Sequence, residues 1–306
     1  MEKKKIIFTG GSGLLAVNWA YKIRDEYEVL LFIHKHQVNI PHVKTRTVNL
    51  ENISEIRNAV TDFEADTIIH TAGMTNVDIC EKEPELAYRT NVTLSENVAN
   101  ACADLHKRMV HISTDHLFDG TRPLVTEEEP INPVNVYGTT KAQAEEKVRD
   151  IKPDALIIRT NFYGWGHQYR TSLSDWIISL LENNKEVPAF CDSWFTPIQF
   201  DQLIDATHEL LGRNVPGVFN VCGSNRISKY DFAKSIAEHF GFDAGLIRKT
   251  SINDANLAAK RPKDMSLSNE KTCRLLNKKI GELEEGITTL FNNQSHREKL
   301  REAVSC

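Results

Sequence analysis

Along the first half of the chain, short apolar runs rich in β-branched residues alternate with stretches whose apolar positions recur at helical spacing. Lys5 to Thr9, Glu28 to Ile33, Val43 to Val48, Thr67 to His70, Met109 to Ile112 and Ala155 to Arg159 read as strands. Leu14 to Asp25, Ile53 to Phe63, Pro84 to Leu105 and a segment entered near Tyr137 read as helices. Strand and helix alternate throughout, which predicts an α/β sheet built from βαβ units. Beyond Gly166 the pattern changes. Helical pieces at Ser172 to Asn183, Phe200 to Leu211 and Ser228 to Phe240 are interleaved with short apolar runs at Val187 to Cys191, Gly217 to Val221 and Leu246 to Lys249. This predicts a smaller mixed α/β lobe over residues 166–306, with some return to the first sheet, after a main domain over residues 1–165. Leu283 to Asn292 reads as a late helix, and the polar stretch from Gln294 to Cys306 as a frayed end or a terminal helix.

Composition narrows the class. With 306 residues, a hydrophobic fraction of 41% and a net charge of -5, the chain reads as a soluble protein with no general affinity for nucleic acid or membranes. Cys80, Cys102, Cys191, Cys222, Cys273 and Cys306 are scattered without a Cys-x-x-Cys, so reduced thiols are expected, with no disulfide framework and no metal site. The charged start, Met1 to Lys5, leads straight into a strand without the apolar core of a signal peptide, and a cytoplasmic location is expected.

Candidate chemistry gathers where the strands end. Thr9 is followed by Gly10, Gly11, Ser12 and Gly13 and then by a helix, and such a turn aims backbone N–H groups at an anion. The spacing Gly10, Gly13, Ala16 departs from the Gly-x-Gly-x-x-Gly fingerprint, so a nucleotide site and a simple turn are both open. After the second strand come His34, Lys35 and His36, where an acid would hold the ribose hydroxyl of NAD. A 2′-phosphate site or a solvated loop fits these bases. Thr71, Ala72 and Gly73 permit close backbone approach at another strand end, while Ser113 and Thr114 are either caps or catalytic donors. Tyr137 and Lys141 stand four apart at a helix start, and a lysine ammonium beside a phenol is expected to lower its pKa from about 10 toward neutrality.

Taken in order, Thr9 to Gly13, His70 to Gly73, the run Ser113-Thr114-Asp115-His116-Leu117-Phe118-Asp119-Gly120 and Tyr137-x-x-x-Lys141 resemble an extended short-chain dehydrogenase/reductase. Asn132 to Lys141 and Lys260-Arg261-Pro262 with Leu267 add a resemblance to its dTDP-4-dehydrorhamnose reductase branch. The resemblance implies a Rossmann-type doubly wound parallel sheet and a nucleotide-linked sugar as substrate. It implies NADP(H) as preferred cofactor, with NAD(H) as the other, bound by Gly10, Ser12, Gly13, Leu14, His34, Lys35, Thr71, Ala72, Gly73, Tyr137 and Lys141. Thr114, Tyr137 and Lys141 would be the catalytic set, and Thr114, Asp115, His116, Asn161 and Arg261 would meet the sugar nucleotide. His116 stands where the branch commonly has tyrosine, Ala16 replaces a glycine, and Phe162 to Trp165 differs from the branch's usual strand end. An epimerase or dehydratase, a non-catalytic subunit like the regulatory β subunit of methionine adenosyltransferase, and a homodimer all remain open.

Overall fold

The computed structural model describes residues 3–305; Cys306, counted above among the thiols, lies outside them. Seven parallel strands form the central sheet: β1 (Lys5–Thr9), β2 (Glu28–Ile33), β3 (Val43–Thr47), β4 (Thr67–His70), β5 (Arg108–Ile112), β6 (Leu156–Arg159) and β7 (Gly217–Asn220). Their spatial order is β7-β6-β5-β4-β1-β2-β3, so the direction of winding reverses between β1 and β4. That reversal opens a crevice at the carboxyl ends of the two strands, where Thr9 pairs with His70.

Both sheet faces are covered, as a parallel sheet requires. Side chains alternate along β1, with Ile6 and Phe8 on one face and Ile7 on the other. On the first face α1 (Leu14–Ile23) buries Trp19 against Phe8, with ring centroids 5.5 Å apart. On the second lie α2 (Ile53–Phe63) and, after two shorter helices, α3 (Val77–Lys82) and α4 (Pro84–Tyr88), the helices α5 (Leu94–Asp104) and α6 (Val136–Ile151). The stretch expected as one helix from Pro84 to Leu105 is interrupted by a π turn, Arg89–Thr93. Asn91 lies in this turn, and its side chain turns inward and bonds Met74 and Thr140 instead of facing solvent.

The later residues form α7 (Leu173–Glu182), α8 (Phe200–Gly212), α9 (Lys229–Phe240) and short strand pairs. Val187–Phe190 pairs in parallel with Ile247–Thr250, and Trp194–Phe195 antiparallel with Ile227–Ser228. The chain also crosses back. β7 joins the main sheet beside β6, Trp19 donates its indole N–H to His208 of α8 at 2.9 Å, and Val304–Ser305 pairs with Gln37–Val38 just after β2. Gln294–Ala303 is a terminal helix. Among the described residues no helix is long and apolar enough to cross a membrane, and no group of three or more His, Cys, Asp or Glu side chains is placed to hold a metal ion.

Candidate active site

The crevice at the carboxyl ends of β1, β4, β5 and β6 holds a cavity of ≈ 360 Å³. Its floor starts at the glycine turn. Gly10 takes φ +63, and a Cβ there would stand 2.7 Å from the Cα of Ala72, so only glycine lets the ends of β1 and β4 close up. Gly11 donates to Phe32 O of β2 at 2.8 Å, and Gly13 donates to Gly10 O at 2.8 Å. Gly13 is then the N-cap of α1 and offers no side-chain acceptor, in contrast to Asn52, Ser172 and Ser228, which cap α2, α7 and α9. The first N–H groups of α1 are therefore open to an anion in the cavity. Ala16 is fully buried against the sheet, where a small side chain keeps α1 close.

The opposite wall carries the expected catalytic set. Asn135 caps α6 by accepting from Gly138 N at 2.8 Å, and its amide donates to Lys260 O at 2.9 Å. Gly138 allows close docking: a Cβ would stand 2.3 Å from His116 O. This brings Tyr137 beside Thr114, whose hydroxyl acts on its phenol, and edge-on to His116 at 5.3 Å. Burial pushes the Tyr137 phenol above its ordinary value; the Thr114 hydroxyl opposes this, and the carboxylate of Asp115 adds to it. Lys141, one turn on, donates to Ile112 O at 2.8 Å, and burial draws its ammonium down to about 8 against the opposing pull of Glu145. The expected lowering of the Tyr137 pKa by Lys141 is thus reversed, because desolvation of the phenol outweighs any favourable charge. Behind Lys141 lie His70 and His111, stacked at 5.5 Å and both held neutral, chiefly by burial.

Gly13, Leu14, Thr71, Ala72, Gly73, Thr114, Asp115, His116, Tyr137, Lys141 and Asn161 all line this one cavity. Asn161 donates to Asp115 Oδ2 at 2.5 Å, and His116 is kept neutral by burial, with a buried Nδ1 that has no partner. Gly10 and Ser12 shape the turn without lining the cavity. His34 and Lys35 are exposed, two and three residues beyond the strand carbonyl that anchors Gly11. Arg261 lines a neighbouring cavity of ≈ 400 Å³ with Lys260 and Lys263, and Asp78 in the first turn of α3 takes its guanidinium at 2.8 Å.

Three residues at the site were passed over in the sequence. Asn91 lines the cavity and clamps Met74 from both sides, accepting from its N–H at 2.7 Å and donating to its carbonyl at 3.2 Å. An asparagine inside a helical pattern is the signal that could have found it. Lys229, at the start of α9, packs its ammonium 3.3 Å from the Phe195 ring centroid, with burial lowering it to about 8 and Asp115 as the opposing anion. Arg170 reaches the cavity from the loop after Gly166. Neither cation has a local sequence signal, since each is brought in by the path of the later chain.

A family model described as RmlD substrate binding domain matches residues 4–296. The chain is 31% identical over 261 residues, 83% of this chain and 86% of the other, to the probable low-salt glycan biosynthesis reductase Agl14 of Haloferax volcanii. It is 27% identical over 284 residues, 89% of this chain and 82% of the other, to methionine adenosyltransferase 2 subunit beta of Rattus norvegicus. Among solved structures, dTDP-4-dehydrorhamnose reductase from Bacillus anthracis in complex with NADP superposes with a TM-score of 0.86 at 27% identity, over 96% of this chain and 100% of that one.

Proposed function

The chain belongs to the RmlD substrate binding domain family, and on that premise we propose that it is an NADPH-dependent reductase of a keto group on a nucleotide-linked sugar. One observation carries the reading: a buried, protonated Tyr137 beside Thr114 faces, across a single cavity, the uncapped N-terminus of α1. The glycine cradle fits a dinucleotide, since Gly10 admits no side chain and Gly13 leaves the helix N–H groups open. In this reading Gly13 and Leu14 hold the pyrophosphate on the turn that Gly10 and Ser12 shape, and Thr71, Ala72 and Gly73 let the cofactor backbone approach closely. His34 and Lys35 take the 2′-phosphate that sets NADP(H) above NAD(H). The cofactor, when bound, supplies a hydride to the carbonyl carbon.

The protein's own part is proton delivery and charge stabilisation. As negative charge develops on the carbonyl oxygen, Tyr137 donates its phenolic proton to it and Thr114 hydrogen-bonds the same oxygen. Lys141, fixed on Ile112 O, places an ammonium where it stabilises the phenolate that remains. Asp115 and Asn161, bonded to each other, and the neutral imidazole of His116 orient the sugar hydroxyls. The diphosphate lies toward Lys229 and Arg261, the cations whose fields reach His116. Similarity to methionine adenosyltransferase 2 subunit beta supports a second reading, a partner-binding subunit that holds the cofactor without turnover. An epimerase or dehydratase would return the hydride, so net consumption of NADPH separates it from a reductase.

Tyr137→Phe keeps the ring and removes the proton. Turnover is expected to fall by roughly 10²- to 10⁴-fold with NADPH affinity unchanged. Unaltered turnover would remove the assignment of Tyr137 as the acid.

A further inference from the structure

We propose that Arg170 is the cation that holds the cofactor's pyrophosphate against the glycine turn, reaching across from the loop that follows Gly166. The proposal rests on reading the cavity as a dinucleotide site and adds a residue from the far side of the crevice. Arg170 and Thr171 line the same cavity as Gly13, Leu14 and Thr71 to Gly73. The loop lies on the turn itself, for the ring of His167 sits against the backbone of Ser12.

That loop is fixed. His167 N donates to Arg170 O at 2.9 Å, and Arg170 N donates to His167 O at 3.0 Å. Gly166 has no room for a side chain, since a Cβ would stand 2.6 Å from Arg170 O. Tyr169 stacks on His36 with ring centroids 4.2 Å apart, and Gln168 donates to Val304 O of the terminal strand. The backbone of Arg170 is thereby held between the end of β2 and the chain's final strand.

Its side chain is exposed and takes no part in the ion pairs formed among the described residues. The nearby carboxylate, Asp175, is already held by Arg297 at 2.8 Å, with Arg301 at 3.8 Å. Arg170 and His36 together, after burial, hold His167 neutral at about 4, so basic groups gather here while the carboxylate beside the loop, Asp175, is engaged by Arg297. Such a cluster suits an anion. A planar guanidinium matches two phosphate oxygens at once, and the dipole of α1 supplies only about half a charge. Position selects which phosphate. Arg170 lines the cavity with Gly13 and Leu14, whereas His34 and Lys35, assigned to the 2′-phosphate, lie outside that lining.

The test is a set of dissociation constants for NADPH and NADH on the full chain, with NADH measured by displacement of NADPH so that weak binding still gives a value. Arg170→Ala is expected to weaken both by the same factor, roughly tenfold, as for loss of a charged hydrogen-bonding group. Arg170→Lys should recover part of the loss. The double variant His34→Ala, Lys35→Ala should instead weaken NADPH alone. Because Arg170 is exposed, its variants should unfold at the wild-type temperature. Unchanged affinities in Arg170→Ala overturn the proposal, and so does a loss confined to NADPH, which would move Arg170 to the 2′-phosphate. If the wild type binds neither nucleotide, the dinucleotide reading and this proposal fall together; if it binds both and only Arg170→Ala is silent, this proposal alone falls.

Discussion

In the proposed reaction Tyr137 and Lys141 divide the proton chemistry between them because burial acts on them in opposite directions. It disfavours the charged form of each, raising the phenol and lowering the ammonium. At neutral pH Tyr137 is therefore the donor form, and Lys141 is charged with little margin. As pH rises through about 8, Lys141 loses its proton, and with it the charge that stabilises the phenolate left after proton transfer. The kcat/KM profile is expected to fall above about pH 8, and Lys141→Arg, whose charge persists at high pH, should move that limb upward while lowering the maximum. A rate that stays level well above that pH would contradict this role. The identity of the pair was legible from its spacing alone. Its electrostatics were not, since Tyr137 is buried against Cys80 and Ala87 and Lys141 against Ile112 of β5, none of which the local sequence contains.

Among the elements, the start of α6 is sensitive, because the helix docks through a glycine against the loop that follows β5. In Gly138→Ala the new methyl would meet His116 O at 2.3 Å, so helix and strand end must part. Overpacking of this kind costs about 1–3 kcal/mol, read as a fall of roughly 2–4 °C in Tm per kcal/mol. Turnover should fall further than stability does, because Tyr137 moves off Thr114; wild-type Tm and turnover together would show that the contact does not position the site. The strands of the main sheet and their helices could be read from periodicity, and the structure places them within a residue or two. The π turn was missed because one extra residue barely disturbs a helical pattern, while Asn91's inward bonds to Met74 and Thr140 are tertiary. The two-residue strands of the later chain carry too few positions to show a period.

At the scale of the whole molecule, one crevice collects residues from far apart in sequence: the glycine turn near the start, Tyr137 and Lys141 in the middle, and Arg170 from the chain that crosses back, with Lys229 and Arg261 in the cavities beside it. The first two groups were legible because one sits at a predicted strand end and the other at a predicted helix start. The cations were not, and Arg261 is the clearest case, because its partner Asp78 lies in a short helix on the opposite side of the sequence. This convergence on one cavity makes the central claim chemical: the site transfers a hydride to a nucleotide-linked keto sugar and protonates the product from Tyr137. The direct measurement is the absorbance of NADPH when the protein is mixed with a panel of nucleotide-linked 4-keto sugars, with the product analysed alongside. The account predicts one NADPH consumed for each keto group converted to an alcohol, and loss of that consumption in Tyr137→Phe. Binding of both NADPH and a sugar nucleotide with no NADPH consumed would contradict it.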